Sequence, residues 1–72
     1  MTSTPPTTTF GDRLRVAREA VGVTREKLAV ESMISCAALT RTETGRTEPT
    51  RATVLAILLA CDRLGIDLEA AA

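Results

Sequence analysis

The apolar residues near the start of this chain recur at helical spacing rather than at strand spacing. Four of them lie three or four positions apart: Phe10, Leu14, Ala17 and Val21. This is the spacing of one face of an α-helix. The pattern therefore predicts a first helix over 10–21 with a buried apolar stripe. Gly22 then ends this helix as a left-handed residue.

The stretch 24–44 predicts two short helices separated by a tight turn at Met33 and Ile34. Thr24 and Ser35 are candidate N-caps, because a Ser or Thr side chain can accept a hydrogen bond from an orphan backbone N–H of the first turn. The inward-facing residues are expected to be Leu28, Ala29, Ala38 and Leu39. This pattern is that of a helix-turn-helix, whose second helix enters the major groove of DNA.

A fourth helix is predicted after the loop 45–49, with Thr50 as its cap and an end near Arg63. Its apolar face, the expected floor of the core, is formed by Val54, Leu55, Leu58 and Leu59. A short final helical turn follows Gly65 and contains Ile66 and Leu68. Together with Leu64, these residues either form a dimer patch or close the core of the monomer. The predicted fold class is all-α, a compact bundle of about five short helices containing a helix-turn-helix.

The N-terminal residues 1–9 are rich in threonine and proline and carry no charged side chain. We expect a disordered tail here, followed by a single helix-turn-helix domain over 10–72. The alternative is an arm that enters the minor groove of DNA, but such arms use Arg or Lys.

Composition restricts the chemistry of the chain. The single aromatic residue, Phe10, requires an aliphatic core. No apolar run approaches the length of a membrane span, and no signal-peptide pattern is present, so we expect a cytoplasmic protein. Histidine is absent, and no Ser-His or Cys-His pair or phosphate-binding loop can be formed. We therefore expect no enzyme activity, no metal, no cofactor and no small-molecule ligand.

The two cysteines, Cys36 and Cys61, have two interpretations. In a reducing compartment, Cys61 is a small core residue and Cys36 a small exposed one. The alternative is a redox switch formed by the pair.

The formal net charge is zero, whereas most DNA-binding domains carry a basic surplus. The charged residues are nevertheless unevenly distributed along the chain. The central basic residues are Arg25, Lys27, Arg41, Arg46 and Arg51, with acidic residues between them. Arginine predominates over lysine, which suits bidentate contacts to phosphate and guanine.

Several motifs together resemble the lambda-repressor-like helix-turn-helix domains of the xenobiotic-response-element type, which include phage repressors, Cro-like proteins and antitoxins. They are FGDRLRVARE from Phe10, GVT from Gly22, KLA from Lys27, ALTRTETG from Ala38, Pro49, and LGIDL from Leu64. The resemblance implies a five-helix bundle that binds a double-stranded DNA operator as a homodimer, as a transcriptional repressor without catalysis.

The resemblance also implies roles for individual residues. The expected base contacts from the recognition helix, around 35–43, are made by Cys36, Ala37, Thr40 and Arg41. The expected phosphate contacts are made by Thr24, Arg25, Ser35, Thr44 and Arg46. Arg18 and Glu43 align with a buried ion pair that ties the first helix to the end of the recognition helix.

Three residues depart from the pattern of this family. Arg25 replaces a glutamine, Met33 stands where a turn glycine is common, and Thr42 replaces an apolar core residue. A left-handed Met33 would be strained by roughly 1 kcal/mol or more. Together with the zero net charge, the lost glutamine keeps open a second hypothesis. The chain would then be a protein-interaction module of the same fold, such as an antitoxin-like or anti-repressor partner, without DNA specificity of its own.

Overall fold

The computed structural model describes residues 9–68, and this part of the chain contains α-helices and no strand. The four helices are α1 (Phe10–Ala20), α2 (Arg25–Ser32), α3 (Cys36–Glu43) and α4 (Arg51–Leu64). The all-α fold class is confirmed. The predicted fifth helical turn is not formed up to Leu68, so the bundle has one helix fewer there than expected. The predicted tail lies outside the described residues except for Thr9, as do residues 69–72.

Each of these helices begins with a hydroxyl side chain that accepts a hydrogen bond from the third backbone N–H of the helix. The four cap residues are Thr9, Thr24, Ser35 and Thr50, with distances of 3.1, 3.1, 3.0 and 3.2 Å from the donor nitrogen to the hydroxyl oxygen. The caps predicted at 24, 35 and 50 are therefore confirmed. Since α2 and α3 have only eight residues each, they are too short to be stable alone. Capping and packing together stabilise them.

The core receives one fully buried aliphatic side chain from each helix. These residues are Leu14, Leu28, Leu39 and Ile57, each with 0% of its surface exposed. Helix α4 packs chiefly against α2, whereas α3 packs against α1 and α2. Burial of a leucine or isoleucine side chain contributes about 1.5–3 kcal/mol. The helix-turn-helix pair is thus held from behind by α1 and α4.

The apolar face predicted for α4 was wrong. Leu55, Leu58 and Leu59 are 54%, 39% and 61% exposed. The buried residues of α4 are instead Ile57, Ala60 and Cys61. Every residue from 54 to 61 is apolar, so the periodicity could not select a face. The structure buries the side of the helix that carries the small residues, which allows α4 to approach α2.

The apolar residues that follow α1 and α4 were predicted with different outcomes. Val21 is exposed because α1 ends one residue earlier, at Ala20, and the half-buried Val23 packs against the core instead. Ile66 and Leu68 are both buried. They therefore close the core of the monomer, which was one of the two alternatives for this segment.

Helices α1 and α3 approach each other closely at Gly11, which is buried in the first turn of α1. A Cβ atom at this position would overlap the backbone carbonyl oxygen of Thr42. Thr42 itself is buried, at the position where the family pattern has an apolar residue. The contact leaves no room for a larger side chain at residue 11, so it fixes the distance between α1 and the end of α3.

None of the helices within residues 9–68 is long and apolar enough to cross a lipid bilayer.

Candidate nucleic-acid interface

Helix α3 has a buried face and an exposed face. Leu39, Thr42 and Glu43 are buried. The four predicted base-contact residues form two pairs with i, i+4 spacing, which are neighbours on a helix surface. Ala37 and Arg41 are exposed and form the outer surface of α3. Thr40 and Cys36 are half-buried at the edge of this surface, and Cys36 also packs against the core.

The buried face of α3 ends in a carboxylate with no solvent exposure, that of Glu43. Arg18 of α1 binds it with two hydrogen bonds. Its Nε donates to Oε2 at 2.8 Å and its Nη2 donates to Oε1 at 3.0 Å. The same guanidinium donates through Nη1 to the Val23 carbonyl oxygen at 2.9 Å. Arg18 thus joins α1, the α1–α2 connection and the end of α3.

The hydrogen bonds from Arg18 to Glu43 raise the pKa of the Arg18 guanidinium above its ordinary value, against the opposing effect of burial. Paired hydrogen bonds between a guanidinium and a carboxylate are among the strongest in proteins. The Arg18 guanidinium therefore stays protonated and keeps both of its hydrogen bonds to Glu43, which hold α3 against α1.

A second arginine also binds Glu43. Nε of Arg25, the first residue of α2, donates to Glu43 Oε1 at 3.1 Å, and its Nη1 donates to Thr40 Oγ1 at 3.4 Å. The Arg25 side chain is 34% exposed. Two guanidinium groups thus bind one carboxylate in the cluster Arg18–Glu43–Arg25. A second carboxylate, that of Glu19, lies 3.8 Å from Arg18 Nη2, so the four groups carry no formal net charge. The contact of Arg25 with Glu43 could not be predicted from the sequence, because helical spacing carries no information on pairing between α2 and α3.

The predicted phosphate contacts include three hydroxyl side chains with partners inside the chain. Thr24 and Ser35 cap α2 and α3, and a cap uses an oxygen lone pair. Their protons stay available for donation to a phosphate oxygen. Thr44 is different, since its hydroxyl donates to the Thr40 carbonyl oxygen at 2.8 Å. The Thr44 side chain is therefore a weaker candidate for phosphate binding than the two caps.

Among the described residues, one non-glycine residue has a positive φ angle, and it lies in the turn between α2 and α3. Met33 has φ 60° and ψ 38°, in the left-handed region, and its side chain is 90% exposed. The left-handed conformation that glycine favours at this turn is therefore adopted by a methionine, at an energetic cost.

The loop after α3 carries the last predicted phosphate contact, Arg46. Its side chain is exposed, and its backbone N–H donates to the Arg41 carbonyl oxygen at 2.9 Å. This bond turns the chain back over the end of α3. The backbones of Arg41 and Arg46 thus meet at the end of α3. Neither side chain forms an ion pair with any residue from 9 to 68.

The two cysteines are free thiols. Cys61 is buried in the core, and burial raises the pKa of its thiol to about 11. Cys36 is half-buried and packs against the core rather than being fully exposed as expected. Within the described residues, no three His, Cys, Asp or Glu side chains lie close enough to hold a metal ion.

Comparison with known proteins assigns the chain to a family. No curated protein and no solved structure matches it. A family model described as a helix-turn-helix domain matches residues 9–71, which include all four helices. This match is consistent with the resemblance to the xenobiotic-response-element type. The chain belongs to the helix-turn-helix domain family.

Proposed function

We propose that this protein is a sequence-specific DNA-binding transcriptional repressor that places α3 in the major groove. The observation that carries the proposal is the contrast across α3. One face is locked to the core through Glu43, and the other presents Arg41 without an ion pair to residues 9–68. A rigid helix with one free guanidinium is what direct reading of a base edge requires, because Arg can donate two hydrogen bonds to guanine O6 and N7.

The residues around α3 supply contacts to the DNA backbone in this proposal. The hydroxyl groups of Thr24 and Ser35 lie at the N-termini of α2 and α3, where backbone N–H groups also favour a phosphate. Arg46 adds a charge in the loop after α3. Arg25 contributes its own charge at the start of α2, since its side chain is 34% exposed. These contacts orient the protein on the duplex but do not select a sequence.

The proposal includes a homodimer formed through α4. Leu55, Leu58 and Leu59 are exposed on that helix, and they are the largest group of exposed aliphatic side chains on any one described helix. A recognition helix of eight residues reads few base pairs, and two-fold dimers of such domains gain affinity by binding two half-sites. A second copy of this chain is therefore the partner that fits both the function and the apolar face.

Sedimentation of the purified protein tests the dimer. Wild type should sediment as a dimer at micromolar concentration, and Leu59→Glu as a folded monomer, because Leu59 makes little contact with the core. Val30→Glu is the matched control, since Val30 is also exposed, at 72% against 61% for Leu59, but lies on α2. A monomeric wild type would remove the homodimer from the proposal.

The second candidate function is a protein-interaction module without DNA specificity. The exposed leucines of α4 and the zero net charge favour it. Selection of duplexes from a random pool, with heparin retention over a salt series, separates the two functions. A repressor should enrich one sequence and stay on heparin at moderate salt despite its neutral charge. An interaction module should enrich no sequence and elute at once.

A further inference from the structure

The hydrogen bonds of Thr40 determine which part of that side chain is available to DNA. From them we infer that Thr40 recognises the 5-methyl group of a pyrimidine, thymine or 5-methylcytosine, and does not donate a hydrogen bond to a base. The inference rests on the proposed function and specifies what the middle of α3 reads.

The hydroxyl group of Thr40 is occupied from two sides. Its single proton is donated to the Cys36 carbonyl oxygen at 2.8 Å, one turn earlier in α3. Its oxygen also accepts from Arg25 Nη1 at 3.4 Å. A hydroxyl has one proton to donate. It therefore cannot also donate to the acceptors of the major groove, which are guanine O6 and N7, adenine N7 and thymine O4.

These hydrogen bonds leave the methyl group of Thr40 uncommitted, while the hydroxyl keeps one lone pair that could only accept. The neighbours of Thr40 on the same face are also small and apolar: Ala37 contributes a methyl group, and Cys36 a half-buried thiol. Arg41, one residue further, is the exposed hydrogen-bond donor of this face. The surface is thus divided into an apolar part and a guanidinium. In the major groove, the apolar feature of a base edge is the C5 methyl group of thymine, which 5-methylcytosine shares.

The experiment uses the duplex that wild-type protein selects. Each thymine is replaced in turn by deoxyuridine, which removes the methyl group and leaves base pairing unchanged. One replacement should lower the affinity of wild type about fourfold, the factor for one buried methyl group. At a cytosine placed in the same position, 5-methylation should raise the affinity by a similar factor.

Two variants of residue 40 assign the effect. Thr40→Val keeps the methyl group and removes the hydroxyl, so it should retain the loss on deoxyuridine. Thr40→Ser keeps the hydroxyl and removes the methyl group, so it should bind the thymine and deoxyuridine duplexes equally. Melting curves of both variants establish that they are folded.

The inference is overturned if no thymine is sensitive, if Thr40→Ser keeps the sensitivity, or if Thr40→Val loses it. These outcomes leave the proposed function intact as long as wild type selects a duplex and Arg41→Ala weakens binding to it. Failure to select any duplex would overturn the proposed function and this inference together.

Discussion

An arginine side chain lies at each of the two faces of α3, and the two side chains have opposite environments. On the inner face, Arg18 is buried and all of its donor nitrogens bind chain oxygens. On the outer face, Arg41 is exposed. The difference arises from one carboxylate, Glu43, which lies on the inner side of the helix. Arginine is thus structural where it meets the buried Glu43, and available for a ligand on the outer face of α3.

The largest expected effect comes from removing one partner of the inner face. Arg18→Met leaves a fully buried carboxylate with only the half-exposed Arg25 as partner, and Glu43→Leu leaves a buried guanidinium. Each should lower the free energy of unfolding by about 3–5 kcal/mol, whereas the double variant should cost much less than the sum. Chemical denaturation of the four proteins measures this coupling.

The exposed pair Arg15–Glu19 on α1 is the matched control for that cycle. Its closest contact is 3.7 Å and both side chains are exposed, so Arg15→Ala should cost about 0.5 kcal/mol or less. Glu19 is left in place, because its carboxylate also lies 3.8 Å from Arg18. Losses at Arg18 and Glu43 that simply add would show that the buried pair does not act as a unit.

A smaller effect is expected where α1 touches the end of α3. In Gly11→Ala, the new methyl group collides with the Thr42 carbonyl, and the two helices must move apart. We expect a loss of about 1–3 kcal/mol, as for overpacking of a core. Thermal melts measure it, with the exposed Val16→Ala on the same helix as control, which should change stability by about 0.5 kcal/mol or less. Wild-type stability of Gly11→Ala would mean that this contact does not set the position of α3.

The smallest effect concerns the turn before α3. Met33 adopts a left-handed conformation that costs a non-glycine residue about 1–2 kcal/mol. The greater freedom of glycine in the unfolded chain offsets about 0.5–1 kcal/mol of this. Met33→Gly should therefore stabilise the fold by about 0.5–1 kcal/mol in thermal melts.

Gly65→Ala is the control for Met33→Gly, because it makes the opposite change, from glycine to a residue with a Cβ atom, at another left-handed position. Gly65 ends α4 with a φ angle of 75°, so alanine there should destabilise the fold by about 1 kcal/mol. A Met33→Gly protein that melts below wild type would refute the strain at this turn. We expect its DNA affinity to be unchanged, since the inner face of α3, not the turn, orients the helix.

Local chemistry made much of the fold predictable from the sequence. The caps, the turn at 33–34 and the helix ends at glycine follow from hydrogen bonding and backbone sterics within a few residues. The core face of α4 did not follow, because Leu55 and Ile57 are equally apolar and only packing against α2 distinguishes them. The Arg25 contact with Glu43 was missed for a similar reason, since it joins residues of different helices. The exposure of Arg41 on the surface of α3 agrees with the spacing, and its role in reading a base remains a prediction.

The most direct test of the central claim compares Arg41→Ala with Arg46→Ala on the selected duplex and on single-mismatch duplexes over a salt series. If the outer face reads sequence, Arg41→Ala should cost about 1–3 kcal/mol on the selected duplex and relax the preference at one base pair. Arg46→Ala should weaken binding to every duplex alike and lower the salt slope by about one unit. Equal losses on all duplexes for both variants, or no loss for either, would contradict the assignment of α3 as the reading element.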